Sequence, residues 1–135
     1  MGPIMELWKG KREEAALRRI RMLLARHLAE QSPDPAAEPA IPVRVIPVSG
    51  GIALAEKAFS ASAKDFFDVT FSLVTTDPLP RRELLVGIAT EQVLSLFQAE
   101  TGEASFLGGR LWQTEVELTG IVDGEQYERL SSLMR

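Results

Sequence analysis

The clearest pattern of apolar and polar positions in the chain lies in residues 66–73. Apolar residues alternate there with polar ones at every second position, which is the period of a strand with one packed face and one face in water. The pattern changes at Asp77, whose carboxylate can accept hydrogen bonds from the free amides of a helix's first turn. Pro78 and Pro80 suit that turn, because the first turn of a helix does not need their missing N–H groups. We therefore predict a strand that leads into a helix.

The stretch 83–98 carries its apolar side chains on one broad stripe of a helix, with polar residues on the other side. The stripe consists of Leu85, Ile88, Ala89, Val93, Leu96 and Phe97. We expect this helix to pack on the same core as the strand before it.

A helix is also predicted between Glu13 and Glu30. Its apolar residues recur at spacings of three and four, at Leu17, Ile20, Leu24 and Leu28. The connection that follows, residues 32–42, is rich in proline and cannot continue a helix. Prolines also flank the apolar run 43–46 closely, which favours a short strand or an edge strand.

The remaining segments predict further strands and a short final helix. Residues 49–51 read Ser-Gly-Gly and form a turn, while residues 52–64 are equally compatible with a strand, a helical turn or a mobile loop. We favour a strand with a flexible tip. Alternation returns in residues 111–122, which predicts a second long strand. Asp123 or Gly124 can then cap a short C-terminal helix.

Together these elements predict an α+β fold, in which a mainly antiparallel sheet of about four strands has two helices packed on one face and a short C-terminal helix. Residues 1–12 are expected to form a partly flexible N-terminal segment. Residues 13–135 are expected to form a single α+β domain, because a chain of 135 residues with 45% apolar content supports one core.

The composition excludes several classes of protein. The chain has no cysteine and a single histidine, so a disulfide framework and a thiolate metal site are impossible. No apolar run approaches the roughly 18 residues of a membrane-spanning helix. The N-terminus also lacks the order of basic, apolar and small residues that marks a secretion signal. We expect a soluble protein without membrane association.

The charge of the chain is unevenly distributed. Residues 1–27 contain seven basic and three acidic side chains, a net charge of +4, whereas residues 28–135 contain eight basic and sixteen acidic side chains, a net charge of −8. A molecule with two electrical ends can stack head to tail, although a basic helix whose charges are merely solvated is an equal alternative. The basic helix could also contact phosphates, but the acidic remainder opposes nucleic-acid binding.

The candidate catalytic groups are four acids on or beside the two long strands, Asp65, Asp68, Glu115 and Glu117. Paired carboxylates can act as acid and base or hold a magnesium ion. Alternation, however, places acids on the solvent face of almost any half-exposed sheet, and no motif for a nucleophile accompanies them. His27 lies on a separate helix, with no acid to complete a catalytic set. We therefore predict that the protein is not an enzyme and needs no metal or cofactor.

The order of predicted elements, together with the passage FSLVTTDPLPRRELLVGIATEQVLSLF, resembles the tail terminator or tail-completion proteins of long-tailed phages and related contractile particles. The resemblance covers roughly residues 13–122 and is one of layout. In that family a first helix leads through a hairpin-like region to a strand, a second helix and a final strand. The family implies a ring, often hexameric, that caps the tail tube at its full length and joins it to the head. It has no catalytic residues to transfer.

The resemblance implies a noncatalytic structural subunit of a phage tail or tail-like particle. Its partners would be copies of itself, the tail tube and the head-tail connector proteins, with nucleic acid only passing through the lumen of the ring. Its location would be the virion tail, assembled in the host cytoplasm, or the cytoplasm if the protein is not viral. The alternative is a small adaptor or regulatory domain that binds another protein.

The expected interface combines charged and apolar residues. We expect the basic helix to bind acidic residues of the next copy, so that charge sets the orientation and apolar burial supplies most of the affinity. The predicted interface residues are Trp8, Arg18, Arg19, Arg21, Arg26, Phe106, Leu107, Glu115 and Glu117.

Overall fold

The computed structural model describes residues 2–31, 40–79, 82–89 and 94–134, with side chains described from 14 to 30 and from 40 to 132 within these ranges. The helices are α1 (Gly2–Gln31) and α2 (Gly124–Met134). The strands are β1 (Ile41–Ser49), β2 (Ile52–Ala53), β3 (Phe59–Phe67), β4 (Thr70–Thr75), β5 (Glu83–Ala89), β6 (Leu94–Gly108) and β7 (Leu111–Ile121), and a 3-10 turn (Ala55–Lys57) links β2 to β3. Neither helix, over the residues described, combines the length and the apolar character needed to cross a membrane.

Six of the strands close into an antiparallel barrel. Around the barrel the order is β1, β3, β4, β7, β6 and β5, and β5 pairs again with β1. β1 therefore has partners on both edges, since Val45 lies opposite Phe59 of β3 on one edge and opposite Val86 of β5 on the other. β2 is the additional strand, and it pairs only with the end of β1 among the described strands.

The turn between β1 and β2 requires glycine. Ser49 pairs with Ile52, which leaves Gly50 and Gly51 as a two-residue turn. Both glycines have a positive φ, 59° and 77°, which residues with a Cβ rarely adopt. A two-residue turn of this kind matches the right-handed twist of its strands. The two glycines thus set the register of this hairpin.

The interior of the barrel is filled by inward-facing residues from all six strands. Phe71 and Phe97 are the largest of them, and both are almost completely buried. The same cluster contains Val43, Val45, Ala63, Leu73, Leu84, Val86, Ile88, Val116 and Leu118. Burying a large apolar side chain contributes roughly 1.5–3 kcal/mol, so this interior is the main source of stability.

Helix α1 closes one end of the barrel. Because neighbouring strands are antiparallel, the starts of β1, β4 and β6 meet the ends of β3, β5 and β7 at this end. Ile20 and Leu24 of α1 are buried in the interior cluster, and Leu17, Leu23 and Leu28 pack against it. The apolar stripe of α1 therefore completes the core of the barrel.

Two ion pairs hold α1 on the rim of the barrel. Arg21 donates to both carboxylate oxygens of Asp68, in the turn between β3 and β4, and Arg19 donates to Asp123 after β7 over 3.3 Å. The hydrogen bonds from Arg21 hold the pKa of Asp68 below its usual range, and Asp68 raises the pKa of Arg21. Because these side chains are about half exposed, the pairs mainly orient the helix and stabilise it little.

His27 makes a buried contact between α1 and the rim. Its Nε2 lies 2.8 Å from Oγ of Ser95, at the start of β6, and its Nδ1 has no hydrogen-bond partner among the described residues. Burial lowers the pKa of the imidazole; the Glu30 carboxylate opposes this effect, while Arg26 adds to it. His27 is therefore a structural residue that is mostly uncharged at neutral pH.

Helix α2 covers part of the outer face of the barrel. Leu130 packs on a second apolar cluster, which includes the outward-facing side chains Ile46, Leu85 and Leu96 of β1, β5 and β6. The hydroxyl of Tyr127 donates to the backbone carbonyl of Leu94, at the start of β6, over 2.7 Å. As a result β5 is buried on both of its faces.

The predicted sheet of about four strands with two helices on one face is wrong. The described chain forms a closed barrel of six strands with one extra strand and two helices. The main error concerns residues 83–98, where β5 and the first part of β6 replace the predicted helix at 83–89 and 94–98, while residues 90–93 lie outside the described residues. Because β5 is buried on both faces, its run from Leu84 to Ile88 shows no alternation, and periodicity cannot separate such a strand from a buried helix. The helix start at Asp77 is also wrong, since bends and irregular backbone precede β5.

Three other predicted elements are confirmed. The helix predicted at 13–30 lies within α1, the strand predicted at 111–122 is β7, and the C-terminal helix is α2. α1 also includes the backbone of residues 2–12, whose side chains lie outside the description. Most of the proline-rich connection, residues 32–39, lies outside the described residues as well.

The first two strand predictions need correction. The strand predicted at 43–46 is neither short nor at an edge, because β1 has nine residues and is paired on both sides. The strand predicted from residue 66 is divided, because β3 ends at Phe67 and a turn follows at Asp68, where φ is 55°. Aspartate tolerates this left-handed conformation better than most residues do.

Thr114 offers a test of the barrel interior. Its side chain is fully buried on β7, and within the described chain its hydroxyl has no hydrogen-bond partner. Because valine has nearly the same shape, we expect Thr114→Val to raise the free energy of unfolding in urea by about 1 kcal/mol. Thr70→Val is the control, since it removes a hydroxyl that donates to the Phe67 carbonyl over 2.7 Å, and it should lower the free energy of unfolding. A lower free energy of unfolding in Thr114→Val would contradict the assignment of Thr114 as a buried hydroxyl without a hydrogen-bond partner.

The buried His27 should make stability depend on pH. Because the pKa is lowered in the folded state, the unfolded chain takes up a proton at a higher pH than the folded chain does, and acidification favours unfolding. We expect the free energy of unfolding to be highest above about pH 6.5, to fall as the pH drops below that value, and to level off beneath the pKa of the folded state. Asp68, whose pKa is also lowered, contributes only at more acidic pH.

Urea unfolding from about pH 5 to about pH 7.5 measures this dependence, since His27 is the single histidine of the chain. His27→Gln removes the titrating group and should flatten the profile. Ser95→Ala is the control, because it removes the hydroxyl at 2.8 Å but keeps the imidazole, and should retain the slope at lower stability. An unchanged slope in His27→Gln would show that another group titrates.

Candidate interaction surfaces

The β6 strand of the β6–β7 hairpin extends beyond β5 at the end of the barrel opposite α1. β6 pairs with β5 only as far as Glu100, yet it continues to Gly108. β7 begins at Leu111 and pairs with β4 from Trp112 onwards. We call residues 105–112, at the end of this hairpin, the hairpin tip.

The hairpin tip is apolar and exposed. Phe106 is 61% exposed, Leu107 46% and Leu111 44%. The ring of Phe106 lies opposite that of Trp112 across the hairpin, with 5.3 Å between the ring centroids. Leu107 follows Phe106 along the strand and therefore lies on the other face. Apolar side chains are thus exposed on both faces of the tip, a feature typical of association sites.

The outer edge of the same hairpin presents backbone groups. Over residues 104–108, β6 pairs with β7 on one side, and no described strand pairs with its other side. A bulge between Thr101 and Ala104 bends β6 just before this stretch. An edge of this kind can accept a strand from another chain.

Three glutamates form a row across neighbouring strands, which we call the acid row. Glu83 of β5 lies opposite Glu100 of β6, and Glu100 lies opposite Glu117 of β7. Directly opposed residues have Cβ atoms about 4.5–5.5 Å apart on one face, so these like charges repel one another. All three are exposed, and in the part of the chain that the structure describes none of them forms an ion pair.

A groove of about 530 Å³ lies on the outer face of β5 and β6, between the β1–β2 hairpin and α2. Its apolar lining includes Ile52, which is 67% exposed, together with Leu85 and Leu130. Its polar lining consists of Glu83, Gln98, Glu100, Thr119, Gln126 and Arg129. Two members of the acid row therefore line the groove. The volume of the groove falls within the range of roughly 300–1,000 Å³ that is typical of ligand clefts.

The structure divides the basic residues that were predicted as an interface. Arg19 and Arg21 bind carboxylates of the barrel rim in the same chain. Nε of Arg26 lies 3.6 Å from Oε1 of Glu30, which is one turn further along α1. Arg18 is exposed and forms no ion pair with the residues described. Most of the predicted basic face is therefore occupied by contacts within the molecule.

Four other predicted interface residues lie on β6 and β7 or in the hairpin tip between them. Phe106 and Leu107 are exposed in the hairpin tip. Glu117 belongs to the acid row, and Glu115 is exposed on the same outer face of β7. The side chain of Trp8 lies outside the described residues.

The four candidate catalytic acids do not share a site. Asp65 and Asp68 lie near the end that α1 closes, and Asp68 is bound by Arg21. Glu115 and Glu117 lie on the outer face of β7, two residues apart on the same strand. Within the described residues no group of three or more histidines and acids is placed to hold a metal ion.

Sequence patterns missed the acid row and the groove. Glu83 and Glu100 are 17 positions apart in the chain and become neighbours only through the register of β5 with β6. The groove is lined by Ile52 from β2 and by Arg129 and Leu130 from α2, two elements that are far apart in the chain. The one signal available along the chain was Ile52, an apolar residue directly after a glycine turn.

The helix at 83–98, which the tail-terminator resemblance included, is replaced by strands over 83–89 and 94–98, the part of this stretch that the structure describes. Comparison of the chain with protein-family models, with curated proteins and with solved structures found no match.

Proposed function

We propose that the protein is a self-associating module whose function is assembly and not catalysis. The surface formed by the hairpin tip and the acid row binds another copy of the chain. The observation that carries this proposal is the hairpin tip, where Phe106, Leu107 and Leu111 are all more than 40% exposed.

The hairpin tip supplies the affinity of the proposed contact. Covering its apolar side chains contributes a free energy of roughly 25 cal/mol for each Å² of apolar surface removed from water. The tilted aromatic pair Phe106 and Trp112 is an anchor of the kind that dominates interface energies. Backbone hydrogen bonds to the edge of β6 at residues 104–108 would add orientation to this apolar contact.

The charges of the chain support a contact between unlike surfaces. Residues 28–135 carry a net charge of −8 and residues 1–27 a net charge of +4. The acid row concentrates negative charge on one face, and a basic surface of a second copy relieves its internal repulsion. Salt should therefore weaken the association, because exposed charges are screened within about 10 Å at 0.1 M.

A ring that terminates a phage tail is one form of such self-association. Its support is the two-ended charge and the exposed hairpin tip, and the mass of the assembly distinguishes it from a dimer. The alternative is an adaptor that uses the same tip to bind a different protein. An adaptor of that kind would be a monomer in solution, which makes the oligomeric state the deciding observation.

We expect the purified protein to form oligomers in sedimentation velocity at about 1–100 μM. Phe106→Ser combined with Leu107→Ser should raise the dissociation constant at least about tenfold, because it removes the apolar anchors without touching the core. Phe67→Ser is the matched control, since Phe67 is 80% exposed at the α1 end of the barrel, and it should leave the mass unchanged.

A wild-type protein that stays monomeric over this range would contradict the proposal. The proposal would also be contradicted if Phe67→Ser reduced the mass of the assembly as much as Phe106→Ser with Leu107→Ser does. Reversing the charges of Arg19 and Arg21 is not a suitable test, because it would also break the ion pairs that hold α1 on the barrel.

A further inference from the structure

The groove beside the acid row has the chemistry of a site for an amphipathic, basic segment. Ile52, Leu85 and Leu130 provide an apolar lining. Glu83 and Glu100 place two exposed carboxylates in the same groove, against one exposed cation, Arg129. A partner that fits both features needs apolar side chains followed by cations.

We infer that the groove receives the N-terminal segment of a second copy of this chain, residues 2–13. This inference rests on the proposed function and names the part of the partner that binds. In this arrangement the apolar residues Ile4, Leu7 and Trp8 enter the groove, and Lys11 and Arg12, one helical turn after Leu7 and Trp8, face the acid row.

The sequence of the segment matches the lining of the groove. Leu7 and Trp8 follow Ile4 by three and four residues, so these three positions fall on one side of a helix. Lys9, Lys11 and Arg12 follow directly, against a single acid, Glu6, within residues 4–12. The segment begins α1 in the structure, so its backbone is already helical and needs no folding to bind.

The remainder of α1 is committed to its own barrel. The side chains from Leu17 to Leu28 that face the barrel pack on the interior cluster. Arg19 and Arg21 are bound to the rim of the same chain. At about 1.5 Å per residue, residues 2–13 extend the helix by about 18 Å from the part that carries these contacts.

The acid row adds an electrostatic reason. Glu83, Glu100 and Glu117 lie opposite one another and form no ion pair within the described residues. Three adjacent carboxylates repel in the isolated chain, and the basic segment of a second copy offsets that repulsion. β6 continues from the groove into the hairpin tip, so a bound copy covers both as one surface.

The contact joins two different surfaces, the N-terminal segment of one copy and the groove of the next. Interfaces of this type form rings when the rotation between copies closes and filaments when it does not. The groove lies toward the end of the barrel opposite the one that α1 closes, so successive copies are joined in a head-to-tail manner.

A charge-exchange experiment in the full-length chain tests this inference. One variant reverses the segment with Lys9→Glu, Lys11→Glu and Arg12→Glu. The other reverses the groove with Glu83→Lys and Glu100→Lys. Each variant alone should have a dissociation constant at least about tenfold higher than that of the wild type. An equimolar mixture of the two should recover the association in sedimentation velocity.

The control matched to the groove variant is Asp77→Lys combined with Glu128→Lys. It changes the net charge by the same amount as the groove variant, at exposed positions outside the groove lining. It should associate like the wild type. Circular dichroism of each variant checks that the barrel is intact. A fluorescent peptide of residues 1–13 gives a second readout, since it should bind the wild-type chain more tightly than the groove variant, and its Trp8→Ala form should bind more weakly.

The outcomes separate this inference from the proposed function. A monomeric wild type overturns both. An oligomer that is lost with Phe106→Ser and Leu107→Ser, but kept in the groove variant, overturns the groove assignment alone. Loss in both charge variants without recovery in the mixture also overturns it, because the segment would then not be the occupant of the groove.

Discussion

The pairing of β1 with two strands at once is the constraint on which the rest of the structure depends. β1 joins β3 on one edge and β5 on the other, and this double pairing converts a sheet into a barrel. Pro47 lies in this strand without an N–H group, but its carbonyl accepts the N–H of Leu54 over 2.8 Å. Closure places one set of side chains in the interior and leaves few strand edges in the described chain, the main one being the outer part of β6.

Closure also decides which charged groups are available to partners. α1 must seal one end of the barrel, and it uses Arg19 and Arg21 to hold its position on the rim. The opposite end carries the exposed hairpin tip, and the acid row begins there at Glu83 and forms no ion pair among the residues described. The molecule therefore has one end that is committed to its own stability and one end that is suited to association.

The sequence predicted part of this structure for clear physical reasons. α1 and β7 each have one packed face and one solvent face, so their apolar residues recur with the period of the element. β5 has no solvent face, because α2 covers its outer side, and its apolar run was mistaken for a helix. Phe106 and Leu107 were recognised from apolarity beside a glycine turn, whereas the acid row depends on strand register and could not be read along the chain.

Hydrogen–deuterium exchange at low and high protein concentration shows whether a stable closed barrel uses its hairpin tip to bind another copy. We expect slow exchange in β1 and β5 at every concentration, because these strands are paired on both edges. We expect exchange in residues 104–108 to slow as concentration rises. Fast exchange in β1 would contradict the closed barrel, and exchange in residues 104–108 that is the same at all concentrations would contradict the association.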